Sequence, residues 1–129
     1  MFHRSRLAGF IIDCQTDDLE AAANFWSGAL GLPRTDNDQE GDGHYAELAA
    51  AAGELHVEVQ KVSHPSRVHL DIEADDVDAE ADRLEALGAR RVAFVKRWWL
   101  MEAPSGQHFC VVRMMHPERG APPNVWRSD

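Results

Sequence analysis

Apolar and polar positions follow two rhythms along this chain, and the rhythm changes at matching places in each half. Leu7–Cys14 is a nearly unbroken apolar run rich in Ile and Phe, which predicts a strand. The polar turn Gln15–Asp18 follows, with Asp17 or Asp18 placed to cap a helix and to suit its dipole. Leu19, Ala22, Ala23, Trp26, Ala29 and Leu30 then recur at helical spacing, which predicts an amphipathic helix closed by Gly31 and Pro33. The stripe Leu19, Ala22, Trp26 and Leu30 is expected to be buried. Thr35–Gly43 is polar and rich in Gly and Asp, a loop. Tyr45–Ala50 and Glu54–Val62 read as strands around a turn at Gly53, and His64-Pro65-Ser66 reads as a linker.

The second half repeats the scheme. Arg67–Glu73 predicts a strand, and Val77–Leu87 a helix with Val77, Ala81, Leu84 and Leu87 inward and Gly88 as its stop. Ala89–Val95, Trp98–Glu102 and Gln107–Met114 predict strands, the last preceded by the turn Ala103-Pro104-Ser105-Gly106. From His116 a tail with three prolines is expected to be extended and docked by Trp126. That ring would lid a pocket, clasp a partner subunit or cover a sheet edge.

The halves also match residue by residue. Asp13, Asp17, Asp18, Ala21 and Ala23 recur at one constant offset as Asp71, Asp75, Asp76, Ala79 and Ala81. After one dropped residue, Ala29-Leu30-Gly31 recurs as Ala86-Leu87-Gly88. A repeat this long is one supersecondary unit used twice. The expected class is α+β, with helices on one face of mixed sheets. Where Ile11 stands in the first copy the second has His69, a histidine on an apolar strand that needs a reason.

At 129 residues the chain fits one domain, residues 1–129, with modules at about 6–63 and 66–115 and a tail at 116–129. A chain of this size buries roughly two-thirds of its unfolded surface, enough to fold without disulfides or a structural metal. The net charge of −9 argues against nucleic acid and anionic membrane as partners. No window approaches the roughly 20 apolar residues of a membrane span. The start, MFHRSRLAGFII, lacks a signal-peptide cleavage site. Cys14 and Cys110, far apart and without a CxxC, suggest free thiols in a reducing compartment, hence a cytoplasmic protein.

Three strings, DCQTDDLEAAANFWSGALG, VHLDIEADDVDAEADRLEALGA and MEAPSGQHFCVV, resemble the vicinal oxygen chelate superfamily of glyoxalases, extradiol dioxygenases and bleomycin-resistance proteins. The bacterial glyoxalase-like domain subgroup is the nearest likeness, through FW after the first helix and RVHLD at the second module. The resemblance implies two βαβββ modules whose curled mixed sheets form a cup, with the helices outside. It implies a homodimer and a small-molecule ligand in the cup. It also places four metal-ligand positions, one on the first and one on the last strand of each module. They fall at Gly9 or Ile11, at Glu58, at His69 and at Cys110. Glu58 and His69 are thus the metal candidates if a divalent metal binds. Gly9 or Ile11 offers no donor, and Cys110 stands where Glu is usual.

Strand alternation puts Asp13, His56, Glu58, Gln60, His69, Asp71, His108 and Cys110 on one polar face. The candidate ligand-binding residues are His56, Glu58, Gln60, His69, Asp71, His108 and Cys110. An exposed sheet face would look similar. For His69 a hydrogen bond to Asp71 or to a neighbouring strand stands beside a functional role. For Cys110 a buried thiol stands beside a nucleophile served by His108. The expected function is binding of a small organic molecule, with no cofactor and no tightly bound metal. A metal-dependent lyase, isomerase or dioxygenase is one alternative, and a non-catalytic regulatory or partner-binding domain another. Whether the protein is an enzyme stays open, since no complete acid, base and nucleophile set is present.

Overall fold

The structure, a computed structural model, describes residues 1–35, 43–50 and 54–128. In chain order its elements are β1 (Phe2–Gln15), α1 (Leu19–Leu30), β2 (Tyr45–Leu48), β3 (His56–Val62), β4 (Arg67–Ala74), α2 (Val77–Ala86), β5 (Arg90–Val95), β6 (Trp98–Glu102), β7 (His108–Arg113) and β8 (Asn124–Arg127). The fold class is α+β. Two compact units form: Gly9–His69, and Met1–Ala8 together with the chain from Leu70 onward.

In the unit Gly9–His69, β1 and β3 run parallel, from Gly9 opposite His56 to Gln15 opposite Val62. β2 joins β3 antiparallel. The helix α1 starts where the Asp18 side chain accepts the Ala21 N–H, and ends at Gly31 with φ 68. It buries Ala23 against Ala46, Leu48 and Val59, with Cys14, Leu19, Ala22, Trp26 and Val57 packed around them. Leu30 is 47% exposed, contrary to the expected stripe, because it is the helix's last residue and lies past the end of that contact. The third strand expected after α1 is reduced to one bridge, Arg34 with Leu48. Hydrogen bonds from Thr35 N–H to the Glu47 carbonyl and from Ala49 N–H to the Pro33 carbonyl flank it. The expected turn at Gly53 and most of the Thr35–Gly43 loop lie outside the described residues.

In the other unit β4 pairs parallel with β7, and β7, β6 and β5 follow antiparallel. The helix α2 is capped by Asp76, whose side chain accepts the Ala79 N–H. It packs Ala81 and Leu84 onto Ala74, Met101, Phe109 and Val111. Leu87 is 68% exposed rather than buried, because α2 ends at Ala86 and Leu87 turns out as its C-cap. Leu70 of β4 is also exposed, while Asp71 beside it is buried, so this strand turns its polar side inward there. The first strand begins at Phe2, well before Leu7, because the tail forms β8 and pairs with Phe2–Ser5. Trp126 covers that edge: its indole N–H donates to Ser5 Oγ at 2.8 Å, and Arg83 stacks 3.9 Å from the ring. Beneath lies Glu80, fully buried, bonded by His3 at 2.8 Å and clasped by Arg83. Among the described residues no helix is long and apolar enough to cross a membrane.

Candidate functional site

On the parallel pair β1 and β3, Gly9, Ile11 and Asp13 stand opposite His56, Glu58 and Gln60. A side chain at Gly9 has no room: a Cβ there would lie 2.2 Å from the His56 carbonyl oxygen. Ile11 is 3% exposed and hydrocarbon. Asp13 is the unusual member of the row. Its side chain is 1% exposed, and its Oδ2 accepts a 2.8 Å hydrogen bond from Nδ1 of His69. A carboxylate only accepts, so the imidazole carries its proton on Nδ1. Arg67 Nε lies 3.6 Å and His64 Nε2 3.8 Å from the same oxygen. The second oxygen, Oδ1, is buried with no hydrogen-bond partner.

Other groups on this unit complete the setting. The Gln60 amide donates to the Tyr45 hydroxyl at 2.9 Å. His56 and Glu58 are half-buried beside it. An open groove of about 670 Å³ is lined by Gln15, Thr16, Asp17, His44, Gln60, Lys61, Val62, Ser63 and His64, at the C-terminal ends of β1 and β3. His64 thus belongs to the groove and to the Asp13 cluster. The Cys14 thiol is on the α1 side of β1. Burial and the Asp13 charge push its pKa up against a hydrogen bond from Trp26, so it stays a neutral thiol.

The remaining candidates lie on β4 and β7. Asp71 stands opposite Cys110, and both are buried. His108 is bonded through Nε2 to Glu102 on β6 at 3.1 Å, and with Arg90 it holds the Glu102 carboxyl below its ordinary value. Neither cysteine is in a disulfide. Of the two structural roles open to His69, the neighbouring-strand partner is present, and it is Asp13. The sequence reading missed His64 and Arg67, treated as linker and strand start. Their signal was two basic groups flanking Pro65-Ser66, directly before the strand that carries His69.

The metal set implied by the resemblance does not fit these residues. Gly9 is closed by the His56 backbone, Ile11 brings no donor, and Cys110 is a soft thiol where hard oxygen is needed.

Comparison with known proteins places the chain. The profile of the glyoxalase-like domain matches residues 9–112. No functionally curated protein matches. Among solved structures, a methylmalonyl-CoA epimerase in complex with methylmalonyl-CoA and NH4+ aligns with TM-score 0.62 and 19% identity, over 85% of this chain and 94% of that one. Methylmalonyl-CoA epimerase from Mycobacterium tuberculosis gives 0.60 and 18%, over 90% and 88%. The Mn(II)-bound glyoxalase from Novosphingobium aromaticivorans gives 0.61 and 20%, over 98% of this chain but 44% of its own length. At these identities the likeness is one of fold.

Proposed function

Starting from the fact that this chain belongs to the glyoxalase-like domain family, we propose that it binds a small polar organic molecule on the strand face of Asp13, Gln60 and His69. One observation carries the reading: Asp13 is buried, held by His69 through one oxygen, and without a partner on the other. Leaving a buried acceptor unpaired costs about 1–3 kcal/mol, more for a charged one. A ligand that brings a hydroxyl, amine or amide N–H to Oδ1 would offset that cost. Arg67 adds positive charge beside the carboxylate, which favours a ligand that also carries an anionic group. His56 and Glu58 are proposed as further contacts from β3. We infer a homodimer from family membership and a cytoplasmic location from the two free thiols, and sedimentation velocity tests the dimer.

Saturation-transfer NMR against a panel of hydroxy acids, 2-oxo acids, amino acids and methylmalonyl-CoA tests the binding, with EDTA present. At least one member is expected to bind wild type and to be lost in Asp13→Ala. Binding by none, or binding unchanged in Asp13→Ala, contradicts the reading. A metal-dependent enzyme is the second reading, favoured by the Mn(II)-bound fold neighbour. Stoichiometric metal surviving dialysis would select it.

A further inference from the structure

We propose that the carboxylate of Glu80 is the latch of a C-terminal strap. While it is ionised it holds β8 and Trp126 on the edge of β1, and when it is neutralised the strap lifts from Phe2–Ser5 with β6 and β7 still folded. The latch lies within the unit formed by Met1–Ala8 and the chain from Leu70 onward, and shares no residue with the Asp13 face.

Two contacts fix the Trp126 ring, and both end on one carboxylate. The indole N–H donates to Ser5 Oγ at 2.8 Å, and the Ser5 hydroxyl in turn bonds Glu80. The Arg83 guanidinium lies 3.9 Å from the ring centroid, and it bonds Glu80 through Nε at 2.7 Å and Nη2 at 2.8 Å. Trp126, Ser5, Glu80 and Arg83 thus close a circuit of contacts around a fully buried carboxyl. Bonds linked in this way polarise one another where the dielectric is low, so loss of the charge weakens every member. His3, opposite Trp126 in the β1–β8 ladder, adds a 2.8 Å bond from Nε2 to Glu80, and its Nδ1 is buried with no partner. Arg4, opposite Val125, holds Asp75 at 3.0 Å as the other charged pair along this edge.

Apolar packing does little to hold the strap. Asn124, Val125 and Arg127 of β8 are exposed, which leaves Trp126 as its half-buried side chain. The apolar cluster under α2 is built from β4, β6, β7 and their flanks, without β8. A segment with few buried apolar contacts opens at a lower free energy than the whole fold. Arg6 sets the hinge. Its guanidinium bonds the carbonyls of His116, Arg119 and Ala121 and the Glu73 carboxylate, and none of these contacts passes through Glu80. The lifting segment therefore begins at Pro122-Pro123. Burial raises the Glu80 pKa, but bonds from Arg83, His3 and Ser5 and the Arg83 charge outweigh it, so the latched carboxyl titrates below its ordinary value. Latching is then complete above the ordinary value and is lost as pH falls through the lowered one.

Amide hydrogen exchange by NMR tests the latch, with protection factors corrected for the intrinsic pH dependence of exchange. At neutral pH the ladder amides of β8 are expected to be less protected than those of β6 and β7, because they open locally. In Glu80→Gln their protection should fall about 10-fold or more, as loss of a charged hydrogen-bond partner implies. In wild type it should fall likewise between about pH 6 and about pH 3.5, where a carboxyl held below its ordinary value is neutralised. That acid dependence should vanish in Glu80→Gln and persist in His3→Gln, which keeps a donor near the place of Nε2. Ser5→Ala, which cuts the link from Trp126 to Glu80, should lower β8 protection by about 5-fold or more and decides the matter if Glu80→Gln does not fold. Protection in β8 equal to that in β6 and β7 overturns the strap. Protection unchanged in Glu80→Gln or in Ser5→Ala overturns Glu80 as its latch. So does an acid dependence that survives in Glu80→Gln, which would pass the role to Asp75 or His3.

Discussion

Asp13 and Gly9 lie on the same face of β1, and each shows what one residue decides. Asp13 was visible in the sequence as the first member of a repeated Asp, but its partner was not. Strand alternation gives faces and not cross-strand neighbours, so His69 could be placed beside Asp71 or beside another strand with equal warrant. Gly9 read as a vacancy in a ligand pattern. Its cause is the His56 carbonyl, which a Cβ would approach to 2.2 Å. Gly9→Ala should therefore destabilise the protein by about 1–3 kcal/mol through overpacking, measured by urea denaturation. A neutral result would mean that β3 yields freely there. Glu80 gives a pH-dependent prediction. Burial raises its pKa, but bonds from Arg83, His3 and Ser5 and the Arg83 charge outweigh it, so the folded carboxyl sits below its ordinary 4.5. A depressed carboxyl contributes stability above the unfolded pKa and loses it as pH falls through the folded one. Stability should thus drop on acidification below about pH 4.5, and Glu80→Gln should be less stable at neutral pH with a shallower acid limb. Chemical denaturation from neutral to acid pH checks both.

At the scale of elements, helices were the most legible part. Two capped amphipathic runs with glycine after them became α1 and α2 where the spacing put them, because capping and periodicity are local. The misses are at edges. Leu30 and Leu87 fit the apolar stripe but fall at or past the last turn, where no strand lies beneath. Leu84→Ala should cost about 2–5 kcal/mol, as truncation of a buried leucine does. Leu87→Ala should change stability by less than about 0.5 kcal/mol. Equal losses in the two variants would mean that α2 extends over Leu87. The strand β8 was read only as an extended tail, since pairing with Phe2–Ser5 joins residues at opposite ends of the chain and leaves no local pattern. Covering an edge was one of three uses considered for Trp126, and it is the one present. The weak strand after α1 was also beyond reach: a single bridge at Arg34 has no periodicity to detect.

Over the whole molecule, the internal repeat was the strongest signal. It carried the fold class, and the match of the glyoxalase-like domain to residues 9–112 agrees with it. The same repeat said little about chemistry, because one fold hosts many reactions and the ligand positions of this copy are incomplete. The candidate chemistry of this chain lies in the Asp13 cluster. The most direct test of that account is saturation-transfer NMR of wild type and His69→Ala with the organic acid panel, before and after EDTA. The account predicts a binding signal that chelation leaves unchanged and that His69→Ala abolishes while the fold persists. A signal that EDTA removes and added metal restores would contradict it.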